Sequence, residues 1–339
     1  MNPDDRAFVI AEAGVNHNGS FDLARQLVDQ ARLAGADAVK FQTFRAEKLV
    51  SRSAQKAQYQ KRNTGGADTQ FEMLERLELS DDDHRALLAY CRDAGVTFLS
   101  SPFDAQSADL LDELGVTAFK IPSGELTNHA LLRHIADKGK PLILSTGMST
   151  LDEVTEAVDI IVASGNRRLS LLHCVTEYPA PVDEVNLRAM LTLRDAFGFA
   201  VGYSDHTQGF EIAVAAVALG ARIIEKHFTL SRDMEGPDHK ASLEPDELKA
   251  LIAAIRNVEQ ALGDGVKVPA PCEMKNIAIA RKSVVAERDI AAGEPLSLEN
   301  VAVKRPGDGI QPRDLENIMG RTVAVDIEAG SVVSWEDLK

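Results

Sequence analysis

Polar groups able to hold an anion or a metal recur wherever this chain's short apolar runs end. Lys40 and Gln42 close one run, Lys120 and Ser123 another, and Ser145, Ser204 with His206, and Glu225 with His227 close three more. Glu12 and Ser101 stand in equivalent places. In extended chain, residues two apart share a face, so Lys40 points with Gln42, Ser204 with His206, and Glu225 with His227. Charged side chains are rarely buried unless paired or functional, and packing does not explain their repetition on apolar strands. Two ammonium groups among the hydroxyls of Ser101, Ser123, Ser145 and Ser204 suit a phosphate, or a phosphate with a carboxylate. Point charges neutralise such a ligand and hydroxyls fix its orientation. A structural ion pair is the alternative for either lysine.

His206 and His227 end consecutive runs and are placed to share one ion. Neither motif holds a ligand cysteine, and positions stay open for oxygen donors, which favours Mn²⁺ or Mg²⁺ over structural zinc. Glu12 precedes Asn16-His17-Asn18-Gly19 and is the candidate general acid or base, compatible with an ion pair to Lys40 or Lys120. His173 sits deeper in its run and reads as a core hydrogen-bonder. His84, His129 and His134 fall on helical stretches and read as surface residues.

Something must bring these groups together. Strands are expected near 8–15, 38–44, 97–103, 118–124, 141–147, 169–175, 200–206 and 222–228, with helices such as 21–34, 82–95, 150–164 and 209–219 between them. The last helix is the clearest: Pro245 suits its first turn, Leu248, Leu251, Ile252, Ile255, Val258 and Leu262 follow helical spacing, and Gly263 stops it. Eight βα units in a segment of roughly 250 residues fit a (β/α)8 TIM barrel, which gathers its strand C-termini at one mouth. A doubly wound open sheet is the alternative, and it would concentrate ligands at one crevice. The polar segment 45–80, carrying Gly65-Gly66, is long for a βα loop and is expected to be either a mobile lid or a plain surface loop.

The barrel is expected to span 1–265 and a linker 266–280, marked by Pro269-Ala-Pro271. Residues 281–339 change character: Ser283–Ala286, Val301–Lys304 and Thr322–Val325 are short β-like runs between Gly- and Pro-rich turns. Asp289-Ile-Ala-Ala-Gly293 returns as Asp326-Ile-Glu-Ala-Gly330, which predicts a small β domain with pseudo-twofold symmetry.

Thirty-seven basic against 52 acidic side chains give a formal charge of −15, which argues against binding nucleic acid or an anionic membrane through a general basic field. No run is long enough to span a bilayer, and the acidic start has no signal-peptide core. Three widely spaced cysteines (Cys91, Cys174, Cys272) fit no disulfide framework. A cytoplasmic protein is expected.

These residues resemble the sialic acid synthases, the N-acetylneuraminate synthases and their relatives for legionaminic and pseudaminic acids. The resemblance runs through Glu12-Ala-Gly-Val-Asn16-His17, Val39-Lys40-Phe-Gln42-Thr43, Lys120-Ile-Pro-Ser-Gly-Glu125 and Leu144-Ser145-Thr-Gly-Met148. It continues through Leu172-His-Cys-Val-Thr-Glu-Tyr178, Tyr203-Ser204-Asp-His206-Thr, Glu225-Lys-His227-Phe-Thr, Gly236-Pro-Asp238-His and Val303-Lys-Arg305-Pro-Gly. The tail is similar to the antifreeze-like (SAF) domain such enzymes carry.

The resemblance implies condensation of phosphoenolpyruvate (PEP) with an N-acylated amino sugar, with Mn²⁺ on His206 and His227. It assigns Lys40, Gln42, Ser101, Lys120, Ser123, Ser145, Thr176 and Ser204 to PEP. Asn16, Glu125, Tyr178, Asp238 and Arg305 go to the sugar, and Glu12, Glu225 and the two histidines to catalysis. Thr176 stands where some relatives have asparagine. Arg305 would reach the mouth of a partner subunit, making a domain-swapped homodimer. N-acetylmannosamine is the acceptor this reading prefers, giving N-acetylneuraminate; 2,4-diacetamido-2,4,6-trideoxymannose, giving N,N'-diacetyllegionaminate, is the alternative. A Schiff-base aldolase using Lys40 or Lys120 and an ice- or sugar-binding tail are the competing classes.

Overall fold

The computed structural model describes residues 6–65 and 68–339. Gly66 and the acidic first five residues lie outside the described residues. The chain forms two compact units, Met1–Asp264 and Gly265–Lys339.

In the first unit eight strands alternate with helices. They are β1 (Phe8–Gly14), β2 (Ala38–Thr43), β3 (Thr97–Pro102), β4 (Phe119–Ile121), β5 (Leu142–Ser145), β6 (Leu169–Cys174), β7 (Ala200–Asp205) and β8 (Ile223–His227). All ladder pairs are parallel, in the order β3-β2-β1-β8-β7-β6-β5-β4. β3 and β4 lie against one another without a ladder and close the barrel. The helices are α1 (Phe21–Ala34), the short α2 (Ala46–Leu49), α3 (Gln58–Thr64) and α4 (Gln70–Glu75), then α5 (Asp81–Ala94), α6 (Ala105–Glu113) and α7 (His129–Ala136). After them come α8 (Leu151–Ala163), α9 (Ala189–Phe197), α10 (Glu211–Ala218) and α11 (Pro245–Leu262). No helix among the described residues is long and apolar enough to cross a membrane.

Local chemistry sets the ends of these helices. Ser20 caps α1 by accepting from Leu23 N, and Gly35 ends it at φ 86°, a left-handed turn that glycine adopts freely. Ser80 and Asp83 form a reciprocal capping box on α5.

Side-chain alternation builds the lumen in layers. Ile10, Ala38, Leu99, Ile143, Leu172 and Ile223 form a buried apolar floor. Two residues further along the same strands come Glu12, Lys40, Ser101, Ser145, Cys174 and Glu225. The outward faces pack on the helices in the main core. Gly202 lies level with the floor, and a Cβ there would overlap Ile223 O and sit 2.7 Å from Leu172 Cδ2. Gly202→Ala is therefore expected to cost about 1–3 kcal/mol through overpacking, read as a lowered thermal unfolding midpoint.

Two expectations change. The 45–80 segment is not a plain surface loop: it folds into α2, α3 and α4 over a satellite core of Val15, Phe44, Ala46, Phe71, Met73, Leu74 and Leu77. Lys56 staples it by donating to Thr64 Oγ1 at 2.9 Å and pairing with Asp68, which also holds Arg76. His84 is buried rather than on the surface. Its ring bonds Ser80 O and Thr43 Oγ1, both at 2.9 Å, because α5 turns that face onto the barrel.

The second unit has its own core around Val284, Ile290, Leu296, Val301, Ile318, Val323 and Val333. β9 (Ser283–Ala286) pairs antiparallel with β10 (Val301–Lys304). The repeated segments meet as the echo predicts. Ile290 and Ile327 exchange both backbone hydrogen bonds at 2.9 Å, Ala329 N donates to Asp289 Oδ1 at 2.8 Å, and Ala292 N donates to Asp326 Oδ1 at 2.7 Å.

Candidate active site

A cavity of about 490 Å³ opens at the strand C-termini. Glu12, Lys40, Gln42, Ser101, Lys120, Ser123, Ser145, Thr176, Tyr178, Ser204, His206, Glu225, His227 and Asp238 all line it. They come from every strand of the barrel or the loop that follows it, so the convergence expected from the sequence is present.

At the bottom, two lysines and two glutamates form one buried cluster. Lys40 Nζ lies 2.8 Å from Glu12 Oε2 and 3.8 Å from Glu225 Oε2, and donates to Ser101 Oγ at 3.1 Å. Lys120 Nζ donates to Glu225 Oε1 at 3.1 Å, and Ser204 Oγ donates to the same oxygen at 3.0 Å. The two carboxyls are not equivalent. Burial pushes Glu12 up to about 7, with Lys40 opposing the rise and the Glu225 anion adding to it. Burial also disfavours the Glu225 anion, but Lys120 and Lys40 outweigh it and hold that carboxyl low, at about 2. Glu12 can therefore exchange a proton near neutrality while Glu225 stays ionised.

One wall is a cradle of small polar groups. Gly147 N donates to Ser123 Oγ at 2.9 Å, and Ser123 Oγ lies 3.1 Å from Cys174 Sγ. A Cβ on Gly147 would overlap Thr176 Oγ1 and come within 2.9 Å of Ser123 Oγ, so only glycine leaves this space. Ser145 Oγ and Thr176 Oγ1 are buried without a hydrogen-bond partner among the described residues. Buried hydroxyls with nothing to bind mark a place for a polar ligand.

Opposite stand the imidazoles. The rings of His206 and His227 lie 5.5 Å apart between centroids, and Tyr178 packs on both, at 4.2 and 5.5 Å. Val175 O lies 2.6 Å from His206 Nδ1, so a neutral ring donates there and keeps the Nε2 lone pair free. His227 Nδ1 has no partner among the described residues. Burial lowers His206 to about 4 and puts His227 well below the ordinary histidine range, so both rings are neutral at pH 7. Neutral imidazoles with free nitrogens are divalent-metal ligands. No third His, Cys, Asp or Glu joins them in a ligand cluster among the described residues. An ion held here would fill its remaining positions with water or substrate oxygens.

Above the imidazoles, burial raises Asp238 to about 6, and its Oδ1 has no hydrogen-bond partner among the described residues. Tyr59 of α3 stacks 5.0 Å from Tyr178.

Two sequence candidates of the first unit do not line the cavity. Asn16 spends its Nδ2 on Phe228 O at 2.8 Å and Ser242 Oγ at 2.9 Å, which ties the first βα loop to the last. Glu125 accepts from Asn128 Nδ2 at 2.7 Å at the start of α7. Arg305 belongs to the second unit, where its Nε donates to Ala280 O at 3.0 Å. The sequence reading missed Tyr59, Met73, Leu74 and Leu77, the cap residues that roof the cavity. Their signal was the apolar spacing of Phe71, Leu74 and Leu77 in an otherwise polar segment.

The NeuB family model matches residues 27–267 and the SAF domain model residues 281–339. An N,N'-diacetyllegionaminic acid synthase of Campylobacter jejuni is 51% identical over 93% of this chain and 95% of its own. One of Legionella pneumophila is 47% identical over 98% and 94%. Among solved structures, the N-acetylneuraminic acid (sialic acid) synthetase of Leptospira borgpetersenii, in complex with citrate, aligns at TM-score 0.71 and 34% identity, covering 81% of this chain and 91% of that one. Identity of this extent through barrel and tail is more than shared architecture gives, and the chain belongs to the NeuB family, the sialic acid-type synthases, as a barrel enzyme with a C-terminal SAF domain.

Proposed function

We propose that this enzyme condenses PEP with 2,4-diacetamido-2,4,6-trideoxymannose and water to give N,N'-diacetyllegionaminate and phosphate. The observation that carries it is the higher identity to the two N,N'-diacetyllegionaminic acid synthases than to the N-acetylneuraminic acid synthetase. The sequence alone favours N-acetylmannosamine as acceptor because Gly236-Pro-Asp238-His239 resembles the neuraminate synthases, but no residue of that motif is assigned to reading the sugar's substituents. The cavity supports the change. Met73, Leu74 and Leu77 of the cap, with Val15 and Phe103, line part of it as an apolar patch beside the polar Gln58, Gln60 and Gln70, and that patch suits a 6-deoxy carbon. Among the described lining residues the ammonium groups are Lys40 and Lys120 alone, and in this reading both serve PEP, which disfavours a sugar phosphate as acceptor.

In this reading the Gly147 cradle, with Ser123, Ser145 and Thr176, receives the PEP phosphate, and Lys120 and Lys40 neutralise it. Gln42, Ser101 and Ser204 fix the rest of the molecule. His206 and His227 would hold Mn²⁺ or Mg²⁺, which would supply Lewis-acid polarisation of the sugar's open-chain aldehyde. C3 of PEP attacks that aldehyde carbon, and the new alkoxide takes a proton. Water adds to C2, and phosphate leaves as the C2–O–P linkage breaks, giving the 2-keto acid. Glu12, close to neutrality, supplies and accepts these protons, while Glu225 stays ionised and holds both lysines in place. Tyr178 and Asp238 face the sugar. Arg305 is assigned to the N-acyl group in a partner's mouth, in a swapped homodimer. Lys40 is held protonated by Glu12 and Glu225 against the effect of burial, which disfavours it as a Schiff-base nucleophile.

The test is release of phosphate from PEP and Mn²⁺ with each sugar. The diacetamido sugar is expected to exceed N-acetylmannosamine in kcat/KM by about tenfold or more, and N-acetylmannosamine 6-phosphate is expected to be inert. In the same assay Arg305→Ala is expected to raise the sugar KM and leave the PEP KM alone. A preference for N-acetylmannosamine overturns the assignment of the acceptor.

A further inference from the structure

On the reverse face of the two histidine-bearing strands lies a buried ion pair that the chemistry above does not use. Lys226 Nζ donates to Asp205 Oδ2 at 2.8 Å, with both side chains 1% exposed or less. The same ammonium donates to Thr207 O at 2.5 Å. Asp205 Oδ1 accepts from Thr207 N at 2.9 Å and from Thr207 Oγ1 at 2.7 Å. Asp205 and Lys226 are register partners across β7 and β8. Asp205 and Thr207 flank His206, and Lys226 precedes His227. One cluster of bonds therefore ties the backbone on both sides of His206 to the residue beside His227.

We infer that the Lys226–Asp205–Thr207 cluster is a positioning device that fixes the separation and orientation of the two imidazoles. The inference rests on His206 and His227 acting as a pair toward a divalent cation. Bonds that orient metal ligands from behind commonly change metal affinity by about 10–100-fold when removed. A pair serving stability alone would be replaceable by apolar residues of similar size with no effect on the site, as buried ion pairs often are.

The experiment compares wild type with the double variant Asp205→Leu/Lys226→Met, the single variant Asp205→Asn, and a control, Glu259→Gln. Glu259 accepts from Ala7 N and pairs with Arg256 at the opposite end of the barrel. Imidazole NMR of the metal-free proteins is read alongside Mn²⁺ titration and thermal melting. In the double variant, the His206 and His227 resonances are expected to shift or broaden, and the Mn²⁺ Kd to rise about 10–100-fold, in protein that still melts cooperatively. Asp205→Asn, which keeps an acceptor for Thr207, is expected to fall between it and wild type, and Glu259→Gln to change melting only. Unchanged imidazole resonances in a folded double variant overturn the inference. If a folded double variant cannot be obtained, Asp205→Asn decides by the same resonances. Wild type that fails to bind Mn²⁺ would remove the metal assignment instead, and the imidazole spectra would still decide the positioning role.

Discussion

Lys120→Met is expected to lower kcat/KM for PEP by about 10²–10³-fold, the usual consequence of truncating one partner of a buried charge contact. Methionine keeps most of the lysine's length and volume, so the change isolates the charge. Lys120 is buried, and Glu225 is its ion-pair partner. Its loss removes the strongest attraction holding the Glu225 carboxylate in its ionised form. The Glu225 carboxyl should therefore titrate higher than in wild type. The consequence for stability has a definite sign. A carboxyl held low in the folded state contributes stability above its unfolded value, and that contribution fades as pH falls toward about 2. The variant should thus melt lower than wild type at pH 7, by about 3–5 kcal/mol for a broken buried pair, and the gap should narrow in acid. Steady-state kinetics with PEP varied, and melts at pH 7 and pH 4, check both parts. An unchanged PEP response would remove Lys120 from the anion site.

His227→Ala is expected to reduce metal-dependent turnover by about 10³-fold, since the charge stabilisation supplied by a bound ion is worth several kcal/mol and each 1.36 kcal/mol is tenfold in rate. The fold should survive. His227 Nδ1 bonds nothing among the described residues, so alanine there strands no donor or acceptor. His206→Ala is less clean, because it leaves Val175 O without the ring that faces it at 2.6 Å. Burial already keeps both imidazoles neutral at pH 7. Mn²⁺ binding should therefore release no protons from them, and any pH dependence of its affinity near 7 should follow the Glu12 carboxyl, held at about 7. Calorimetry in two buffers of different ionisation enthalpy reads this directly. Full activity in His227→Ala would end the metal assignment.

What could be read from the sequence follows strand periodicity. In a barrel, alternation decides which side chains face the lumen, so apolar floor residues such as Ile10, Ala38 and Ile223 announce the polar layer two positions on. Glu12, Lys40 and Glu225 were legible for that reason. An ion pair of Glu12 to Lys40 or Lys120 was legible too, but which lysine it takes, and the Glu225 pairs, were not, because pairing across strands depends on register and on lumen width. The cap was harder still. Residues 45–80 fold against neighbours remote in sequence, as when Asn63 Nδ2 donates to Pro237 O at 2.6 Å, and short helices of this kind carry little periodic signal. His84 was misjudged although its spacing to Leu87 and Cys91 follows one helix face, and all three are buried. A single polar residue on an apolar stripe reads as a boundary until its partners, Thr43 and Ser80, are seen. Asn16 and Glu125 belong to family motifs; Asn16 Nδ2 and one Glu125 oxygen hold loops, while Asn16 Oδ1 is buried without a partner among the described residues.

The crossed bonds of the C-terminal unit bear on how that unit can change. Each copy of the Asp-Ile-X-Ala-Gly segment lends its aspartate to the other's turn, through Asp289 to Ala329 and Asp326 to Ala292. Neither copy is complete by itself, so the two are bound to drift together: a lengthened turn in one leaves an unmet donor in the other. The tail is in effect a dimer written on one strand of sequence, and a cut between its halves should give fragments that regain their shape only in each other's company.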